Sequence, residues 1–165
     1  LGYLIIAPIP SCVLMYKQEL PLLFPDNEDL LRVSKSFKDP FEFLNMLNDE
    51  GILNTDFNTE LGNISYQVAC HQRVQNFGML TKKILELVPG TTVNAIERCS
   101  GHDGTYGVKL ETHDIAIKIA RPITKTFKEA NFDSFTSDCS LAAHHIENSL
   151  GNIPVSYTHL RAHET

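Results

Sequence analysis

Four cysteines, Cys12, Cys70, Cys99 and Cys139, are the residues of this chain best able to do chemistry. Free thiols in a chain without a secretory signal point to a reducing compartment, where cysteines bind metals or react rather than pair. Thiolates in fours suit an iron–sulfur cluster or zinc. Cys99 opens the segment CSGHDGTYG, with Gly101, Gly104 and Gly107 three residues apart. Glycines let backbone N–H groups come close to an anionic ligand, and a thiolate-ligated cluster is anionic. Gly101 and Gly104 are therefore expected in conformations open mainly to glycine, or too near the site for a Cβ. The segment lacks the Lys and Ser/Thr ending of a phosphate-binding P-loop, and its glycine spacing is not that of a dinucleotide site. His71 adjoins Cys70, and His102 lies inside the glycine segment. Both are candidates to support a cluster from its surroundings. Arg73 and Arg98 are candidates to balance its charge. Ser100 lies beside no G-x-S-x-G elbow, so no hydrolase signature accompanies it.

The elements that must position these thiols are legible in the hydrophobic pattern. Tyr3 to Ile9 reads as a buried strand before Pro10 and Cys12. Helical stretches follow from Cys12 to Leu20 and from Pro25, with Leu30, Leu31 and Val33 at helical spacing. Asp39-Pro40 predicts a helix start, with Asp39 as N-cap and Pro40 at the first helical position. Phe41, Leu44, Met46 and Leu47 share its face, and Gly51 ends it. Asn54 to Gly62 is polar and loop-like. Asn63 to Ala69 predicts a strand leading into Cys70, and Phe77 to Val88 a helix closed by Pro89-Gly90. Thr91 to Ile96 predicts a strand leading into Cys99. Thr112 to Ala130 predicts a long helix carrying Ile115, Ile119, Ile123 and Phe127, with Pro122 as a kink. Phe132 to Thr136 predicts a strand leading into Cys139, and Ser140 to Leu150 a last helix capped by Gly151.

Strands alternating with helices predict an α/β fold: a mostly parallel sheet with helices on both faces. Each cysteine follows its own strand, so all four are expected at the C-terminal strand ends. In an open parallel sheet that edge is where ligands bind. Cys12 is expected to meet the other three least tightly, because its strand lies at the start of the chain.

Composition narrows the partners. The 165 residues are enough for one domain with a hydrophobic core. Net charge is −6 and the pI about 5.6, with no Lys/Arg stripe, which argues against nucleic acid. The apolar run at Leu4–Ala7 is too short to span a membrane, and it predicts that the chain begins partway through a larger protein. Val155 to Thr165 reads VSYTHLRAHET, without apolar period or capping logic. It looks like a translated sequencing-library adaptor, a foreign tail that leaves residues 1–154 as the native domain.

The segments SCVLMYKQELP (Ser11 to Pro21), ACHQRVQNFG (Ala69 to Gly78), RCSGHDGTYGVK (Arg98 to Lys109) and SDCSLAAHHI (Ser137 to Ile146) together resemble the cysteine-rich "CCG" domain. That domain occurs in iron–sulfur components of anaerobic glycerol-3-phosphate dehydrogenase, heterodisulfide reductase and glycolate oxidase. The likeness runs in order over nearly all of residues 1–154 and is closest to the glycerol-3-phosphate dehydrogenase branch. It implies a [4Fe-4S] cluster held by Cys12, Cys70, Cys99 and Cys139, in an electron-transfer component rather than the site of substrate chemistry. It further implies ferredoxin-like cluster domains upstream and, as partner, a flavin dehydrogenase or other redox protein. Electrons would pass toward the quinone pool from a cytoplasmic protein, attached peripherally at the inner face of the cell membrane. The fuller family pattern has paired cysteines where this chain has Ser100 and Ala142, which puts heterodisulfide chemistry in doubt. Two other readings stay open on the residues alone: a structural zinc module, and a thiol-redox enzyme using a low-pKa Cys70 beside His71.

Overall fold

Parallel strands need long crossovers, and the chain supplies them with helices. The structure, a computed structural model, describes residues 2–150. The Gly151 cap and the foreign tail expected from Val155 onward therefore lie outside the described residues. Within them run β1 (Ile5–Ile6), α1 (Pro10–Leu14), a π-helical stretch (Met15–Glu19), α2 (Leu20–Leu23), α3 (Glu28–Ser36), β2 (Phe37–Lys38) and α4 (Pro40–Asp49). There follow β3 (Asn63–Gln67), α5 (Cys70–Arg73), α6 (Leu80–Leu85), β4 (Thr92–Ile96), α7 (Leu110–Glu129), β5 (Ser134–Ser137) and α8 (Ser140–Leu150). The fold is α/β, and every strand pairing among the described residues is parallel.

The strands form two sheets rather than one. β1 pairs with β2 alone. The second sheet has the order β4-β3-β5, with Gln67 level with Ile96 on one side and Ser137 on the other. The chain steps from β3 to one neighbour through α6, then crosses back to the other through α7. That reversal makes the C-terminal end of β3 a topological switch point, where a crevice opens between the outgoing loops.

Each face of this sheet has its own core. Ile64, Tyr66, Val68 and Val93 pack with Leu85 of α6. Ile96 and Phe135 pack with Ile123 and Phe127 of α7 and with Ala143 and Ile146 of α8. Phe127 and Phe135 meet edge to face, their ring centroids 4.5 Å apart, a favoured aromatic geometry. β3 is buried from Ile64 onward on both faces, so its residues do not alternate between core and solvent. A central strand covered by helices on both sides has no solvent face to alternate with.

Several elements depart from the pattern reading. The strand expected over Tyr3–Ile9 shrinks to two exposed residues, with β2 as its one strand partner. The first helix does not stop before Pro21. It continues through the π-helical stretch into α2, with Pro21 inside the run, and the Lys17 carbonyl one turn before it accepts from Ser34 Oγ at 3.0 Å. The helix expected over Phe77–Val88 is only the six residues of α6, and a separate helical turn, α5, begins at Cys70 itself. Asp39 caps α4 as expected, accepting from the Phe41 N–H while Glu42 accepts from the Asp39 N–H, a full capping box. Pro122 sits inside α7, which runs unbroken from Leu110 to Glu129. No described helix is long and apolar enough to cross a membrane.

Candidate functional site

Three thiols arrive at one place because their strands are neighbours in register. Cys70 stands three residues past Gln67, Cys99 three past Ile96 and Cys139 two past Ser137, and these three anchors are level in the sheet. All three cysteines line a single cavity of about 540 Å³ at the C-terminal strand ends. His71, His102, Ser100, Gly104 and Ala142 line the same cavity. Ser100 and Ala142 are the positions where the resembling family pattern has second cysteines.

Cys12 is not brought in. Its strand belongs to the other sheet, and Ile9 and Ser11, not Cys12, reach the cavity wall. Successive residues of a helix point about 100° apart, so with Ser11 turned to the cavity and Val13 buried, Cys12 faces solvent. Gln75 holds this arrangement, its Nε2 donating to the Pro10 carbonyl at 3.3 Å and to the His71 carbonyl at 2.9 Å.

A buried polar brace fixes the strand ends beneath the thiols. Gln67 Nε2 donates to the carbonyls of Arg98 (3.0 Å) and Val68 (2.9 Å). Its Oε1 accepts from Ser137 Oγ at 2.6 Å. Ser137 Oγ in turn accepts from the Cys139 N–H at 3.3 Å. One side chain on the central strand thus ties the residue preceding Cys99 to the backbone of Cys139. A glutamine in a buried strand, two residues beyond the buried Ser65, was the sequence signal for this brace. Beside it, Asp138 accepts from the hydroxyls of Tyr66 and Thr81, the latter at 2.7 Å. Burial pushes the Asp138 carboxyl up to about 6 against the pull of those two donors. The same burial, with Asp138 beside it, drives the Tyr66 phenol strongly upward, so it stays a donor.

The glycine segment wraps the other side. Gly101 has φ +79°, and a Cβ there would overlap the Ala116 carbonyl oxygen of α7. Its N–H points at Cys99 Sγ from 3.4 Å. Gly104 has φ +57° with open space around it, so its requirement is conformational alone. Both glycines meet the expectation set by the sequence.

Behind the segment, His102, His113 and His145 surround Gly107. His113 Nδ1 lies 3.0 Å from the Gly107 carbonyl, and a Cβ at Gly107 would press on the rings of His145 and His102. Burial, with the two neighbouring histidines, holds His145 below its ordinary range, so it packs neutral.

The thiols differ in character. Partial burial pushes the Cys70 thiol up, reinforced by the neighbouring Cys99; Arg73 pulls the other way. That is opposite to the direction a low-pKa nucleophile needs. Arg73 also pairs with Glu97 at 3.6 Å on the surface. Among the described residues, no three His, Cys, Asp or Glu side chains approach closely enough to chelate a single ion. A cubane cluster, in contrast, presents its corners several ångströms apart and takes thiolates spread around a cavity wall. Three soft ligands in one cavity with an N–H aimed at one sulfur fit such a group at three corners, and no fourth thiol among the described residues lines the wall. No protein-family model matches the chain.

Proposed function

We propose that this domain is an electron-transfer module that holds an iron–sulfur cluster, [4Fe-4S] in type, on Cys70, Cys99 and Cys139. The observation that carries the reading is the convergence of these three thiols, from three adjacent parallel strands, on one cavity at the topological switch point. A bound cluster would supply one-electron chemistry. The chain would supply thiolate ligation, a Gly101 N–H toward the Cys99 sulfur, and a rigid base through Gln67 and Ser137. His71 and His102, on the cavity wall, would modulate its surroundings or occupy the fourth corner. Ile115, Ile119 and Leu141 are exposed at the cavity's edge, where a redox partner would cover them and exclude water. A flavin dehydrogenase as donor, ferredoxin-like domains upstream and the quinone pool as sink belong to this proposal through the resemblance to CCG domains. So does a peripheral position at the inner face of the membrane.

Reconstitution with ferrous iron and sulfide under anaerobic conditions tests it. The protein should turn brown, bind iron and sulfide in equal amounts, and give an electron paramagnetic resonance signal on reduction. Cys70→Ala, Cys99→Ala and Cys139→Ala should each lose most of the iron, whereas Cys12→Ala should keep it. Colourless protein that takes up zinc instead would replace the cluster with a structural metal. Intact clusters in both Cys70→Ala and Cys99→Ala would remove the site.

A further inference from the structure

We propose that Cys70 and Cys99 form an intramolecular disulfide across the mouth of the metal-free cavity, leaving Cys12 and Cys139 as free thiols. The inference does not depend on the cluster reading, because it concerns the thiols themselves.

Placement carries it. Gln67 and Ile96 are paired across β3 and β4, and backbone bonding between the two strands continues to Val68, whose N–H donates to the Ile96 carbonyl at 3.1 Å. Cys70 and Cys99 each follow at the same offset, so they leave the sheet side by side. Adjacent strands lie about 4.8 Å apart. A disulfide spans Cα separations of about 4.4–6.8 Å. Both side chains line the same cavity and are open to solvent. Cys139 lines the same cavity but leaves β5, on the far side of β3 from β4, one residue earlier in register. Cys12 stands outside.

The oxidant is a low-molecular-weight disulfide, for which oxidised glutathione serves as probe. Cys99 gives its proton to solvent and its sulfur attacks one sulfur of the reagent. The reagent's S–S bond breaks, one glutathione thiolate leaves and takes up a proton, and Cys99 is held as a mixed disulfide. Cys70, deprotonated by solvent, then attacks Cys99 Sγ and expels the second glutathione as a thiol. Two protein thiols are oxidised to one disulfide, and one reagent disulfide is reduced to two thiols. Cys99 acts first because the Gly101 N–H faces its sulfur from 3.4 Å and favours the attacking thiolate there. The closed pair removes two of the cavity's three thiols, so the oxidised form refuses soft metals until it is reduced.

The 165-residue chain, metal-free and reduced, is incubated with oxidised glutathione under nitrogen. Free thiols are then counted and the non-reduced tryptic digest is mapped by mass spectrometry. Each cysteine falls in its own tryptic peptide, Cys70 in the one ending at Arg73 and Cys99 in the one beginning after Arg98. The expected result is loss of two of the four thiols with a dominant Cys70–Cys99 cross-link, formed faster in folded than in urea-unfolded protein. Cys139→Ser should form the same link. Cys70→Ser should stop at glutathione held on Cys99. Retention of all four thiols, unresolved glutathione on both Cys70 and Cys99 in the native chain, or a dominant link to Cys139 or Cys12 would overturn the proposal.

Discussion

The region before Asn54 and the three-stranded sheet after it both build strand–helix units, yet they differ in how those units are buried. β1 lies at the surface with its apolar residues Ile5 and Ile6 about 40% exposed, and α3 and α4 bury no residue fully. Leu22 and Leu23 on α2 are largely open to solvent. In the three-stranded sheet, Phe135, Ile123 and Ile146 are fully inaccessible, and β3 is covered on both faces. A cysteine follows a strand in each region. Where the strands belong to the helix-packed sheet, their thiols are delivered to the shared cavity. Where the strand is a two-residue edge, its thiol, Cys12, is left on a helix pointing outward. A strand end positions a ligand only as firmly as the strand is packed.

The contrast should be largest in the core. Phe135→Ala removes a fully buried ring that meets Phe127, and should cost about 3–5 kcal/mol in denaturant unfolding, enough to threaten folding altogether. A loss below about 1 kcal/mol would mean the two regions are packed alike.

Next comes pH. The Asp138 carboxyl, raised by burial to about 6 from an ordinary 3.8, adds stability while protonated. That contribution is complete below about 3.8 and lost as pH rises through about 6. It amounts to about 2–3 kcal/mol for the metal-free protein. Buried Asp39 in the first region, also raised by burial, works in the same direction. His145, lowered by burial, works the other way: its contribution is present above about 6.5 and is lost as pH falls. Stability curves of Asp138→Asn should flatten between pH 4 and 6, exposing the opposing His145 slope. An unchanged curve would place the titrating groups elsewhere.

Gln67→Leu tests the brace. It leaves the Arg98 carbonyl and the Ser137 hydroxyl without their partner inside the protein and should cost about 1–3 kcal/mol. It should also widen the spread of thiol reactivities among Cys70, Cys99 and Cys139. A variant as stable as the parent would show that water replaces the amide. The smallest effect belongs to the first region: Leu22→Ala, at a side chain 81% exposed, should change stability by no more than about 0.5 kcal/mol. A larger loss would show that this leucine is covered in solution.

Much of the fold was legible because its signals are local. Asp39-Pro40-x-Glu42 announces a capped helix by side-chain chemistry alone. Gly101 and Gly104 announce positive φ, and both have it. The helical spacing through Ile115 to Phe127 marks α7, but its two ends serve different purposes. Ile123 and Phe127 enter the core, whereas Ile115 and Ile119 stay exposed and line the cavity. Periodicity locates an apolar stripe without saying what covers it.

Order along the chain was enough to establish that four thiols follow four strand-forming segments, that the strands alternate with helices, and that a glycine segment adjoins Cys99. Those properties reside in near neighbours: side-chain period, caps and turn residues. Which strands share a sheet was settled by packing between distant segments. β1 joined β2, a strand too short to read, and so Cys12 lost its place at the rim. Gln67, Ser137 and Asp138 gained their partners from strands and helices far along the chain. The cavity exists because β3, β4 and β5 end level and the connection reverses between them. Which residues become neighbours across a sheet depends on pairings between remote segments, and no local pattern encodes that choice.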